Sequence, residues 1–347
     1  MQKVYVGMSG GVDSSVSAVL LLEQGYAVTG VYMKNWTQDV AGVACPWQQD
    51  LADARAVAAK LDIPFKVFDF QTEYKHLVVD AMVAEYAAGR TPNPDIMCNQ
   101  EIKFKLFLSA AQADGADMIA TGHYARARDG RLLSAADTNK DQTYFLYRVT
   151  SEALRRVMFP LGEITKPQVR ALAAKFNLPT ANKPDSQGIC FVGEVGIKAF
   201  LSQYITAEAG PILDRVTGRQ LGMHAGAVFY TTGQRQGLGI GGGTPYYVTG
   251  KEMATNTVFV TNNPSDLSLI ADKFQLSHAH WIAAAPIIGK TFQIRLRHNG
   301  ALVDGKVMHA AGTWTVHLSQ QVRAITAGQS AVFYDGEVVV GGGIVDI

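Results

Sequence analysis

Residues 4–22 read Val-Tyr-Val-Gly-Met-Ser-Gly-Gly-Val-Asp-Ser-Ser-Val-Ser-Ala-Val-Leu-Leu-Leu, and the fold follows from how this stretch is read. Val4 to Met8 is a short, mostly apolar run, the pattern of a buried strand. From Ser14 to Leu22 the apolar residues recur at helical spacing. Between them lies Ser9-Gly10-Gly11-Val12-Asp13-Ser14. A strand, a glycine-rich turn and a helix start, in that order, make an anion site. The glycines let the backbone approach a ligand, and free N–H groups at the helix start point at it. Ser9, Ser14 and Ser15 add hydroxyl donors.

The loop lacks the Gly-Lys-Ser/Thr of a Walker A sequence and the spacing of Gly-x-Gly-x-x-Gly. Ser-Gly-Gly-x-Asp-Ser resembles the PP-loop, the pyrophosphate-binding loop of enzymes that split ATP between its α and β phosphates. A loop without lysine suits pyrophosphate held as leaving group, an inference that comes from the resemblance.

The 347 residues predict two or three domains, and 48% hydrophobic residues are ample for their cores. No apolar run reaches the length of a membrane span, and the first residues read as a core strand rather than a signal peptide. Three cysteines, none in Cys-x-x-Cys, argue against a disulfide scaffold, a structural metal or an iron–sulfur cluster, and the cytoplasm is the expected compartment. Net charge is +1, which gives no general attraction to nucleic acid. Residues 91–200, with 14 basic and 11 acidic groups, form the most basic segment, a hint of a polyanion partner.

Strand-like and helix-like segments alternate through the first 150 residues. Ala27–Met33, Phe65–Phe70 and Met118–Tyr124 read as strands. Leu51, Ala54, Val57, Ala58 and Leu61 mark one helix face, and Ile102, Leu106, Ala110 and Ala113 another. Thr72 is placed to cap a helix ending near Gly89. This order predicts a parallel sheet with helices on both faces, whose ligand site lies beyond the C-terminal strand ends. The loop, Met33 and Gly122-His123 should therefore meet, with Met33 packed on an adenine. A hairpin over 126–133 turns at Asp129-Gly130, Pro167–Phe176 is a helix, and Val195–Ile205 is the last helix of this domain. After about residue 208 glycine becomes frequent, and Ala227–Thr231 and Pro245–Val248 read as short strands of a small β-rich domain. The run Gly237–Gly243 reads as a turn, not a nucleotide loop. From about 274 strands dominate: Phe292, Ile294 and Leu296 face a core while Gln293, Arg295 and Arg297 face water. Ser330–Val340 folds back at Asp335-Gly336, and a small antiparallel barrel fits.

Two cysteines stand on separate loops. Cys98 follows Pro92 and Pro94, and a helix is expected just after it. The helix dipole and Lys103 would then favour thiolate, with Asp95 as proton donor or acceptor. Cys190 lies in Pro184-Asp185-Ser186-Gln187-Gly188-Ile189-Cys190-Phe191, where a reactive thiol would carry a persulfide. Cys45, in Val-Ala-Cys-Pro-Trp, reads as a small buried hydrophobe.

Taken together, Gly7–Ser14, Gly89-Arg90-Thr91-Pro92-Asn93-Pro94-Asp95 with Cys98-Asn99, Ala120–Tyr124, Lys140–Tyr144, Ser186–Phe191 and Gln329–Tyr334 resemble the bacterial tRNA-specific 2-thiouridylase (MnmA) family over nearly the whole chain. The resemblance implies a PP-loop, adenine nucleotide hydrolase-like α/β domain over residues 1–207. A central β-rich domain over 208–273 and a tRNA-contacting barrel over 274–347 would follow. It implies ATP contacts at Gly7, Met8, Ser9, Gly10, Gly11, Val12, Asp13, Ser14, Met33 and Gly122, with Mg²⁺ accompanying ATP. Target-base contacts fall on Asn93, Pro94 and Asp95. Contacts with tRNA fall on His123, Lys140, Asp141, Gln142, Arg295, Leu296 and Gln329. Leu296 stands where the family pattern has an aromatic, so no stacking is expected there, while Arg295 is still suited to bind phosphate. Cys98 aligns with the nucleophile and Cys190 with the persulfide carrier, joined in a disulfide after sulfur leaves. The implied partners are tRNA (Lys, Glu and Gln isoacceptors) and a sulfur donor, either a cysteine desulfurase or a relay protein. A PP-loop amide ligase, which needs no cysteine pair, and a non-catalytic tRNA-binding module are the competing readings.

Overall fold

The computed structural model describes residues 1–40, 42–185, 196–241 and 243–347. The chain opens on β1 (Lys3–Gly7), α1 (Val12–Glu23), β2 (Ala27–Lys34), α2 (Trp47–Lys60) and β3 (Phe65–Asp69). Two long helices follow: α3, residues 71–87, and α4, residues 94–113. Then come β4 (Met118–Thr121), the hairpin β5 (Arg126–Arg128) and β6 (Arg131–Leu133), α5 (Ser151–Leu154), β7 (Val157–Met158), α6 (Lys166–Lys175) and α7 (Ile197–Leu201). Strands β3, β2, β1, β4 and β7 form one parallel sheet in that order. Its central strand is apolar and inaccessible, Val4 and Val6 being 0% exposed, as burial on both faces demands. Helix α1 is buried on two sides. Ala18 and Leu21 join the sheet core, whereas Val12, Val16 and Val19 pack with Val169 and Ala173 of α6.

A four-stranded sheet follows, in the order β10 (Tyr247–Glu252), β11 (Thr257–Thr261), β8 (Gly210–Asp214) and β9 (Gln220–His224). The C-terminal strands are β12 (Ile270–Trp281), β13 (Thr291–Arg295), β14 (Val303–Ala310), β15 (Thr313–Arg323), β16 (Ser330–Asp335) and β17 (Val338–Asp346). They pair β12-β15-β14-β13-β16-β17, and β12 returns to pair with β17, closing a six-stranded antiparallel barrel. The hairpin β5–β6 adds to β17, Leu132 opposite Val339, and so ties the first domain to the barrel. Asp129 and Gly130 at its tip both have positive φ, 52° and 74°, as a two-residue hairpin turn requires.

Several local expectations change. In the C-terminal half of α4 Ile102, Phe104, Phe107, Leu108 and Ala111 are buried, Leu106 and Ala110 pack partly buried on the same core, and Ala113 is exposed. Residues Cys98–Leu106 are wound as a π-helix. Thr72 does not cap α3: the Asp69 carboxylate accepts from the Gln71 N–H at 3.2 Å instead. Strand β4 stops at Thr121, leaving Gly122-His123-Tyr124 as a loop beyond it. Ala227–Phe229 is a 3₁₀ turn rather than a strand, its first N–H bonded to the Asn256 side chain at 3.0 Å. Cys45 is only half-buried, with its thiol 3.6 Å from the Trp36 carbonyl, because its segment crosses the surface.

Candidate functional site

The glycines of the loop are dictated by crowding. Gly10 has φ +75°, and a Cβ there would stand 2.3 Å from the Asp50 carbonyl oxygen of α2. Gly122, arriving from β4, faces the start of α1: its Cβ would lie 2.7 Å from the Ser14 nitrogen and 2.9 Å from the Asp13 carbonyl carbon. A Cβ on Gly7 would meet Met33 Cε at 3.0 Å and Phe107 at 3.4 Å. The structure thus gathers Gly7, Met33, Gly122 and the first turn of α1 at one end of the sheet. Gly11, at the N-cap, receives no side-chain cap; instead the Ser14 and Ser15 hydroxyls donate to its carbonyl at 3.2 and 2.7 Å. Among the described residues no side chain caps the first N–H groups of α1, which is the arrangement an anion site needs.

Asp13 is fastened by groups that sequence reading did not single out. The Tyr124 hydroxyl donates to Asp13 at 2.9 Å, and Lys166 Nζ lies 2.7 and 2.9 Å from its two oxygens. Lys166 also bonds Asp185 at 2.8 Å, and Asp185 receives Lys140 at 2.9 Å and Arg170 at 2.6 Å. Burial alone would raise the Asp185 carboxyl; hydrogen bonds from Lys166 and Lys140, with their charges, outweigh it and hold it at about 2. Lys183 bonds Asp50 and Asp53 of α2 at 2.7 and 2.5 Å. Cys190, with Ser186–Phe191, lies outside the described residues; Asp185, just before that stretch, sits on the loop's flank.

Helix α4 begins at Pro94, before Cys98 rather than after it. Pro94 takes the first helical position, and Asn93 Oδ1 accepts from the Asp95 N–H at 3.1 Å. Cys98 is therefore a full turn inside the helix and 4% exposed, which weakens the dipole argument. Burial pushes the Asp95 carboxyl up, with Lys103 pulling part of the way back. Burial and then Lys103 hold His123 well below the usual imidazole range, so this ring is a neutral partner. His123 bonds Thr121 Oγ1 at 2.7 Å and packs on Phe104 and Phe159, centroids 5.6 and 6.2 Å away. Phe104 on His123 and Phe107 against Gly7 seat α4 at the mouth of the loop. Cys98 lies six residues before Phe104 on the same helix.

The target-base residues divide over two faces of α4. Asn93 and Pro94 line a cavity of about 270 Å³ together with Met82, Met97, Tyr147 and Arg148, while Asp95 shares the Lys103 neighbourhood with His123. The arm leading to α4 is held from both later sheets. Gln329 Nε2 donates to the Thr91 carbonyl at 2.7 Å, the Thr91 N–H to Ala327 at 3.0 Å, and the Thr91 and Thr231 hydroxyls are 3.1 Å apart.

Like Lys140 on Asp185 and Gln329 on Thr91, the expected tRNA contacts Asp141 and Gln142 bond the protein itself. Buried Asp141 accepts from the Ala135 N–H at 3.1 Å and the Thr143 N–H at 2.8 Å, and Gln142 Oε1 accepts from the Tyr124 N–H at 2.9 Å. Asp141 nevertheless lines a polar cleft with Asn139, Arg295 and His298. Arg295 is half-buried rather than out in water: its guanidinium stacks 5.4 Å over the Tyr334 ring, and its Nε is buried with no hydrogen-bond partner among the described residues. Leu296 is half-buried against the barrel core. Among the described residues no cluster of His, Cys, Asp and Glu is arranged to hold a metal ion, and no helix is long and apolar enough to cross a membrane.

Comparison with known proteins adds three family matches. Models described as tRNA methyl transferase HUP domain, tRNA methyl transferase PRC-barrel domain and aminomethyltransferase beta-barrel domain match residues 2–194, 198–262 and 271–345. The tRNA-specific 2-thiouridylase MnmA of Pseudomonas aeruginosa is 46% identical over 99% of this chain and 94% of its own. The proteins of the same name from Ralstonia pickettii and Lactococcus lactis are 47% and 45% identical, again over 99% of this chain and 96% and 95% of theirs.

Proposed function

Because the chain belongs to the tRNA-specific 2-thiouridylase family, we propose that it uses ATP to replace the C2 oxygen of the wobble uridine of tRNA with sulfur. A uracil carbonyl oxygen is a very poor leaving group. Transfer of AMP to it, with release of pyrophosphate, makes it a good one. The α1 N–H groups and the hydroxyls of Ser9 and Ser14 hold the phosphates. Met33 lies against Gly7 beside the place of the adenine. Asp13, partly exposed, would be the loop's carboxylate for Mg²⁺ bound with ATP, an ion that would offset the charge of the leaving pyrophosphate.

Sulfur comes from a Cys190 persulfide. Its outer sulfur attacks C2 either directly or as sulfide released when Cys98 attacks the persulfide. AMP departs with the original oxygen, and a Cys98–Cys190 disulfide remains for external reduction. Asp95, its carboxyl raised by burial, is suited to proton transfer near C2. The anticodon base is single-stranded and leaves its stack at modest cost. Asn93 and Pro94 meet the base. Gln329, the Lys140–Gln142 loop and Arg295 lie where the RNA backbone passes, and residues 274–347 act as its barrel platform. Lys, Glu and Gln tRNAs are the substrates. A cysteine desulfurase or relay protein charges Cys190, in the cytoplasm.

The observation that carries this reading is the seating of α4, the Cys98 helix, on His123 and Gly7 at the mouth of the phosphate loop. The descriptions of two of the matching families name methyl transfer instead. That chemistry needs no triphosphate, so the test is ATP consumption. Unmodified tRNA plus ATP should yield AMP and pyrophosphate in equal amounts, and a methyl-donor-dependent product without AMP would overturn thiolation.

A further inference from the structure

Lys166 belongs to no motif in the sequence, yet its ammonium bonds the carboxylate of the phosphate loop, Asp13. It is the first residue of α6, its side chain is 12% exposed, and its ammonium bridges Asp13 and Asp185. Five charged groups meet here. Lys140 and Arg170 also bond Asp185, so three cations serve two carboxylates. Asp185 keeps two cationic partners without Lys166. The loop itself, Ser9 to Ser14, contains no basic residue. Its backbone N–H groups and hydroxyls are neutral donors, whereas a triphosphate carries several negative charges, and ammonium–phosphate bonds are about twice as strong as neutral ones.

We infer that Lys166 is the cation of the nucleotide site: on ATP binding its ammonium leaves the Asp13 carboxylate and bonds the β- and γ-phosphate oxygens. The fold thus brings from α6 the charge that the loop lacks. Packing of Val12, Val16 and Val19 against Val169 and Ala173 fixes α6 beside α1 and holds the lysine in reach. Tyr124, which also bonds Asp13, keeps that carboxylate satisfied when the lysine turns away. The inference rests on the loop being a triphosphate site.

Titration calorimetry with ATP, pyrophosphate and AMP tests it on wild type, Lys166→Gln and Lys166→Arg. Lys166→Gln should weaken ATP and pyrophosphate at least tenfold and AMP less than twofold; Lys166→Arg should recover most of the loss. An equal loss for AMP and ATP makes the lysine a scaffold residue and overturns the inference, as does no loss at all. Should Lys166→Gln fail to fold, amine acylation of the wild type decides. ATP and pyrophosphate should protect Lys166 and AMP should not, and equal protection by all three contradicts the proposal. A wild type that binds neither ATP nor pyrophosphate removes the nucleotide reading itself, a result distinct from a bound ATP indifferent to Lys166.

Discussion

Gly122→Ala is a sharp probe of the phosphate cradle, because it adds one methyl group and no charge. The new Cβ would stand 2.7 Å from the Ser14 nitrogen, where ordinary contact begins at 3.4 Å, so the first turn of α1 must retreat by about 0.7 Å. The opposing atoms are backbone, at Asp13 and Ser14, and no flexible side chain can absorb the strain. Overpacking of this kind costs about 1–3 kcal/mol, and a 1 Å misplacement near reacting groups costs on the order of a hundredfold in rate. We expect AMP formation from ATP and unmodified tRNA to fall roughly 10- to 100-fold, with weaker ATP binding and a small drop in melting temperature. Gly222→Ala is the control. Among the described residues nothing lies nearer than 4.0 Å to its Cβ, and it should match the wild type. Unchanged ATP affinity and rate in Gly122→Ala would refute the placement of phosphates at the α1 N-terminus.

Three further outcomes follow from the geometry. Gln329→Ala removes one buried bond to the Thr91 carbonyl, worth about 1 kcal/mol, and should slow single-turnover thiolation about fivefold at saturating tRNA; a loss confined to tRNA affinity would assign Gln329 to RNA contact alone. Arg295→Ala should weaken tRNA binding and reduce the salt slope by about one phosphate contact, measured by filter binding at several salt concentrations; an unchanged slope would exclude that contact. Asp185 has its carboxyl lowered from 3.8 to about 2, so its stabilising contribution is complete above pH 3.8 and fades as pH falls toward 2. The denaturant midpoint of Asp185→Asn should therefore lie below wild type at pH 7 and converge with it on acidification; a constant gap would contradict the Lys166–Asp185 pairing.

The cradle was legible because its geometry is local. A strand, two glycines and a helix start, contiguous in sequence, leave little else to build, and β1, Gly10 and α1 stand where periodicity puts them. The barrel was legible for a similar reason, since Phe292 and Ile294 alternate with Gln293 and Asp335-Gly336 marks a turn. The start of α4 was not, because an Asn-Pro pair reads equally as a stiff loop, and only the Asn93 bond to the Asp95 N–H marks it as a cap. Along the rest of α4 the stripe of Ile102, Leu106 and Ala110 does face the core, and only Ala113, in the last turn, is exposed. Lys166 and the Thr91 knot depend on contacts across more than 130 residues of chain, between Lys166 and Asp13 and between Thr91 and Gln329, and nothing local announces them. Arg295 was placed on the wet face by alternation, yet Tyr334 across the sheet half-covers it.

The central claim, that the phosphate loop and two thiols serve one reaction, is tested most directly by mass analysis of nucleosides. Unmodified tRNA is incubated with ATP, a persulfide source and either wild type, Cys98→Ser or Cys190→Ser. The account predicts 2-thiouridine from wild type alone, with none when ATP is omitted and none from either serine variant although both still bind ATP. Full 2-thiouridine from either serine variant, or from wild type without ATP, would contradict it.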